Sequence, residues 1–264
     1  MSSSWRSSPR WTPAALGRAL FTIATIFVNE ALVCGLAATP SALLLARLAD
    51  APLDPLGKAL AFAFAAAPAY ALFALCLMLV SSASTRVTGA RSPDRADMRI
   101  ADMSWPMLRW ARYMAACYVV RLFAGVLVRG TPIWSWYMRM NGARIGRRVF
   151  VNSLHVSDHN LLDFGDDVVI GAEVHLSGHT VERGVVKTGG VTLGRGVTIG
   201  LGSVIDIDVE IGPGAQIGAL SFVRKHARLQ GGTVYAGIPV SPRTPGDHAS
   251  AEPPPLRLPG TASR

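Results

Sequence analysis

Charge and cysteine are both scarce in this chain. Only 16% of the 264 residues are charged and 50% are hydrophobic, which excludes intrinsic disorder for the bulk of the protein. The three cysteines, Cys34, Cys76 and Cys117, exclude a disulfide framework and a cysteine-rich zinc module. Each sits in an apolar stretch, where cysteine behaves as a small hydrophobe. Acidic residues are the rarer charge: 17 Asp and Glu stand against 26 Lys and Arg, a net charge of +9. The basic excess is nearly all arginine and forms no run. Arginines beside apolar segments read as membrane-flanking charge, not as a nucleic-acid footprint.

The long apolar runs lie in the first half. No charged residue occurs from Ala59 to Thr85, and ALAFAFAAAPAYALFALCLMLV supplies 22 consecutive residues for a bilayer span. Pro68 falls inside it, which membrane helices tolerate. Ala19 to Ala46 is a second long run, carrying Asn29 and Glu30. It is too long for a cleaved signal peptide and is followed by another span. The expectation is a two-helix membrane hairpin within residues 1–104, with Glu30 near a polar partner. Arg6, Arg10 and Arg18 precede the first run, and Arg86, Arg91, Arg95 and Arg99 follow the second. The intervening loop sets Arg47 and Lys58 against Asp50 and Asp54. The positive-inside rule then puts both ends in the cytoplasm of a multi-pass protein of the cell inner membrane.

Residues 105–140 mix aromatics (Trp105, Trp110, Tyr113, Tyr118, Phe123, Trp134, Trp136, Tyr137) with Arg109, Arg112, Arg121 and Arg129. That mixture suits an amphipathic helix at headgroup depth. The competing expectation is a third span, Tyr113 to Val128, with Arg121 inside it, at about 2.5–3.5 kcal/mol for a mid-membrane arginine. Residues 241–264 contain six prolines and read as a disordered tail.

Between these segments the period changes. Leu193-Gly194, Ile199-Gly200, Ile211-Gly212 and Ile217-Gly218 fall on one six-residue grid, and Ile205-Asp206 and Val223-Arg224 share it without the glycine. Phe164-Gly165 and Ile170-Gly171 repeat the step, and Ile145-Gly146 begins it. Neither helix nor hairpin gives this period. It predicts a triangular solenoid over residues 141–240, one short strand per hexad. The aliphatic residue points inward, and a small residue follows at the turn, where bulk would strain the backbone. The grid slips between Leu176 and Val191, so SGHTVERGVVKTGG is expected to loop out, with His179 at its base.

From Asn141 to Pro239 the sequence resembles the hexapeptide-repeat acyltransferases. GRRVFVNSLHVSDHNLLDFGDDVVIGAEVHLSGHTVE (Gly146 to Glu182) is similar to the segment of galactoside and maltose acetyltransferases where an asparagine, an aspartate and a Gly-His pair occur in that order. YAGIPV (Tyr235 to Val240) is similar to their closing turn. A membrane region ahead of such a portion, with ALSFVRK (Ala219 to Lys225), resembles the C-terminal part of polylysine-synthase-type peptide synthetases. The resemblance implies a left-handed parallel β-helix, a homotrimer, and acyl transfer from a thioester to a hydroxyl or amine. It implies His179 as general base, suited by a pKa near neutrality, and acceptor contacts from Asn152 and Asp158. His155, about one coil earlier, joins these as a cleft residue, and His175 either lines the cleft or caps a coil corner. It places the donor along the prism, where Gly200, Gly202, Gly218, Ala219 and Ser221 are small and Arg224, Lys225 and Arg243 would meet phosphate.

Those acetyltransferases usually have tryptophan in the hexad that here reads Arg195-Gly196-Val197-Thr198. The donor is therefore acyl-CoA or an acyl group on a carrier protein, a co-substrate, with no bound cofactor. Peptide-synthetase or glycan-pathway enzymes are the expected partners. A non-catalytic trimeric scaffold is the rival reading. A zinc site from His155, His159, His175 and His179, as in a hexapeptide carbonic anhydrase, is a third; without a nearby cysteine and off a helix, their spacing argues against a metal.

Overall fold

The computed structural model describes residues 12–243. Two long helices come first. Thr12 starts Pro13–Ala49 by accepting from the Ala15 N–H at 3.2 Å. Asp54 starts Pro55–Thr88 by accepting from the Gly57 N–H at 3.0 Å. In both, proline occupies the first turn, where its missing N–H costs nothing. Gly89, at φ 65°, ends the second helix in the left-handed conformation that a residue with a Cβ adopts only under strain. Ser41 meets the Ala69 carbonyl and Ser84 meets Asn29, so the pair is antiparallel.

Their burial is inverted relative to a water-soluble hairpin. Ala37, Ala74, Ser81 and Ser82 face inward, whereas Phe27 is 72% and Phe64 80% exposed. Small residues inside let helices approach closely where the surrounding medium is itself apolar. These two helices, and Trp105–Val128 after them, are long and apolar enough to cross a membrane. The third helix widens into a π turn at Arg121–Gly125, and a short helix, Pro132–Met140, follows.

The remainder is a solenoid of parallel strands on three faces. One face stacks Arg144–Ile145, Leu162–Phe164, Val191–Leu193, Val209–Ile211 and Arg228–Leu229. The second stacks Phe150–Val151, Val169–Ile170, Thr198–Ile199, Gln216–Ile217 and Val234–Ala236. The third stacks His175–Leu176, Val204–Ile205 and Phe222–Val223, with Val156 bridged to Leu176 below them. Every grid aliphatic from Phe164 to Val223 is buried, so the hexads bury one continuous apolar column. The two apolar runs and the repeat thus form a helical hairpin joined to a hexapeptide-repeat β-helix.

Three details differ from the sequence reading. The glycines that follow the aliphatics are not the strained positions. A Cβ on Gly200 would lie 2.5 Å from the Ala219 nitrogen, and one on Gly194 would lie 2.6 Å from that of Pro213. Close approach of the next coil excludes a side chain there. Positive φ occurs two residues later, at Gly196, Gly202 and Gly214, and in the equivalent Leu220.

The segment that slips off the grid is not a loose loop but a hairpin, His179–Glu182 with Val185–Thr188, extended to three strands by Asp97–Arg99. And the solenoid closes beyond residue 240, since Ser241–Pro242 pairs antiparallel with Tyr235–Ala236. The disorder expected of the tail otherwise falls outside the described residues, as do Arg6 and Arg10.

Candidate active site

His179 starts the first strand of the hairpin, at the corner where the third face ends. Its Nδ1 lies 2.5 Å from Oδ2 of Asp158, which is completely buried. Asp158 sits at φ 55°, directly before a short 3-10 turn, His159–Leu161. That strained conformation, which Asp tolerates better than most residues, turns its carboxylate inward under the hairpin.

Both carboxylate oxygens are saturated. Ser92 Oγ donates to Oδ1 at 2.5 Å and Trp110 Nε1 donates to it at 3.1 Å. The Ser157 and Ser177 hydroxyls lie 3.2 Å from Oδ2. Burial raises the pKa of Asp158, but the hydrogen bond and charge of His179, followed by the Ser92 and Trp110 bonds, outweigh it and hold the group below the ordinary carboxylate range. An ionised carboxylate only accepts, so Nδ1 of His179 carries the proton and Nε2 presents a lone pair. The Trp110 indole stands edge-on to the imidazole, centroids 5.0 Å apart, and the His179 side chain keeps 20% exposure. The result is an oriented imidazole with one nitrogen free to take a proton.

The other predicted residues have different surroundings. Asp158 is not placed to meet an acceptor, because it is buried beneath His179. Asn152 lies at another corner, beside Gly130 and Phe150. His155 and His175 are exposed and their rings stack at 6.3 Å. His155 also lies 3.1 Å from both Arg121 and Glu173. Partial desolvation of its ring against the neighbouring coil pushes the His175 pKa down, helped by the nearby charges of His155, His179 and Arg121. His159 is enclosed by the edges of Tyr113, Trp134 and Tyr137. Its Nε2 meets the Val156 carbonyl at 3.2 Å, and burial lowers its pKa to about 4. Among the described residues no three His, Cys, Asp or Glu side chains are grouped to share a metal ion.

On the donor side, Gly200 is small because the coil above touches it, and Gly218 faces Ala236. Ser221 is buried, bonded to the Ala219 carbonyl and the Gly237 N–H. Lys225 is held by Glu182 of the hairpin. Ala219 and Arg224 remain exposed. Leu201, Val204 and Leu220 form an exposed apolar strip alongside.

Four residues of the site were missed in the sequence. Ser157 and Ser177, one and two positions before Asp158 and His179, had a signal in their spacing. Ser92 and Trp110 had none, since they reach Asp158 from 66 and 48 residues away.

No family model matches the chain. The solved structures it resembles are hexapeptide-repeat transferases. A galactoside acetyltransferase in complex with coenzyme A is 25% identical over 43% of this chain and 70% of its own, with a TM-score of 0.36. A hexapeptide-repeat acetyltransferase of Vibrio cholerae O1 biovar eltor, complexed with acetyl coenzyme A, is 22% identical over 39% and 60%, also at 0.36. A hexapeptide transferase family protein of Anaplasma phagocytophilum is 19% identical over 39% and 54%, at 0.30. Among curated proteins, a delta-poly-L-ornithine synthetase of Acinetobacter baumannii is 24% identical over 132 residues. That match covers 50% of this chain and 10% of the synthetase.

Proposed function

We propose that the protein is a membrane-anchored acyltransferase of the hexapeptide-repeat class with a left-handed coil. It moves an acyl group from a CoA or carrier-protein thioester to a hydroxyl or amine. The His179–Asp158 pair carries this reading. Nε2 of His179 takes the proton of the acceptor O–H or N–H as the acceptor's lone pair attacks the thioester carbonyl. Asp158 stabilises the imidazolium through Nδ1–H. Backbone N–H groups hold the oxyanion. When the intermediate collapses, the C–S bond breaks and the thiolate recovers the proton from Nε2. The exposed Leu201–Val204–Leu220 strip supports a subunit face in a homotrimer, with the donor arm lying against it.

The first two helices cross the inner membrane in this reading, with the β-helix on the cytoplasmic side. The third lies at the interface. It meets the β-helix along its length, at Trp110 with Asp158, Tyr113 with His159, Arg121 with His155, and Gly125 beside Leu154. One face is covered in this way and the other exposes Tyr118, Leu122, Phe123, Val126 and Leu127, the two-sided pattern of a helix lying at an interface. The peptide-synthetase likeness supports an acceptor held at the membrane by a biosynthetic pathway.

The test is transfer of radiolabelled acetyl groups from acetyl-CoA into a membrane fraction by the purified protein. His179→Ala is expected to keep fold and oligomer and to lose about 10²–10⁴ in turnover. Full activity in that variant refutes the base and favours a scaffold.

A further inference from the structure

We infer that an arginine-lined groove beside the pair binds the phosphate of a membrane lipid head group, which makes the acceptor a phosphate-bearing amphiphile; only this last clause rests on the acyltransferase reading. The groove is a cavity of about 580 Å³ at the end of the second helix, lined by Arg86, Arg91, Arg109, Asn141 and Asn160 among others. Among the described residues no carboxylate lines it. Arg86 is committed to the Met140 carbonyl at 2.7 Å. Arg91 and Arg109 make no ion pair among the described residues, whereas Arg95, Arg129, Arg144, Arg148 and Arg228 do. Two unpaired guanidinium groups facing one cavity repel each other, and a phosphate relieves that repulsion with charge-assisted, bidentate hydrogen bonds.

Position selects the source of the phosphate. Thr85 to Gly89, the last turn of the apolar second helix and its cap, forms one wall. A lipid phosphate lies at that depth, where an apolar span gives way to arginine. A second cavity of about 500 Å³ shares Arg91, Arg109 and Asn160 and adds Ser92, Asp94 and Asp163. Carboxylates suit the hydroxyls or amine of the rest of a head group, not its phosphate. Asn160 bonds both backbone groups of Ser92, at 3.2 and 2.8 Å, and Ser92 Oγ bonds Asp158. A head group on this floor is two side chains from the proposed base pair.

The experiment uses the full chain in nonionic detergent and native mass spectrometry. Phosphatidic acid and diacylglycerol of the same acyl chains are the probes. Phosphatidic acid is expected to be retained one to one and diacylglycerol not at all. Arg91→Gln with Arg109→Gln should weaken retention about tenfold or more, with an unchanged melting temperature because both side chains are exposed. Arg95→Gln, outside the groove, should bind as wild type. Equal retention of diacylglycerol, or full retention by the double variant, overturns the proposal. Displacement of phosphatidic acid by coenzyme A at comparable concentration assigns the groove to donor phosphates and overturns the lipid source. His179→Ala should bind phosphatidic acid normally. If that variant also keeps full acyl transfer, the catalytic reading fails and the groove stands.

Discussion

Replacing Asp158 by asparagine tests the candidate site at its buried end. The substitution keeps shape and removes charge, but the carboxylate is met only by groups that use it as an acceptor. If the new NH₂ takes the Oδ1 position, it confronts Trp110 Nε1, 3.1 Å away in the native site. Indole is a donor only, so one N–H is left buried and unpaired, at about 1–3 kcal/mol. If the NH₂ takes the Oδ2 position, it confronts Nδ1 of His179, 2.5 Å away in the native site. The imidazole must then present a lone pair at Nδ1 and carry its proton on Nε2, which removes the base.

Either way the negative charge that stabilises imidazolium is gone. Turnover should fall by about 10²–10⁴, the usual worth of general acid–base catalysis, while melting drops by only the smaller term. Initial rates of thiol release from acetyl-CoA, with a thermal melt of the same sample, separate the two effects. Wild-type turnover in a folded Asp158→Asn protein would refute the assignment.

Three further outcomes follow from the packing. His159 is neutral in the fold, since burial lowers its pKa from the ordinary 6.5 to about 4. The unfolded chain therefore binds the extra proton first, and stability is lost as pH falls from about 6.5 to 4, by up to about 3 kcal/mol. His159→Gln should flatten that part of a denaturant-midpoint profile, and an unchanged slope would contradict the burial argument. Gly200→Val sets a Cβ 2.5 Å from the Ala219 nitrogen and should destabilise by several kcal/mol, roughly beyond the 1–3 kcal/mol of ordinary overpacking; a wild-type melt would show that the coils can separate. Ile199→Asp puts a carboxylate at a position 1% exposed, among other aliphatics. It should abolish cooperative unfolding in far-UV circular dichroism, and a normal transition would place Ile199 outside the core.

What the sequence alone determined is what repeats or runs. Twenty-two uncharged apolar residues describe a helix long and apolar enough to cross a membrane, because that requirement is only length and hydrophobicity. Aliphatics every six residues describe a stacked coil, because each position needs the same neighbour above and below. His179 was legible by its place where the grid breaks and by the resemblance of its surroundings.

What surrounds His179 was decided by tertiary structure. The resemblance gives Asp158 an acceptor contact; only the hairpin closing over it makes it the partner of the imidazole. Ser92 and Trp110 are in no register with the repeat; Trp110 reaches the carboxylate because the third helix lies along the β-helix, and Ser92 because Asn160 pins its loop there. The glycines were recognised as necessary, but for the wrong reason: backbone strain can be read along a chain, whereas the contact that excludes a Cβ comes from the next coil, 18 residues on for the Ile199–Ile217 pair. Periodicity records contacts that every coil makes. The candidate site is assembled once, between segments that share no period, and only the folded chain brings them together.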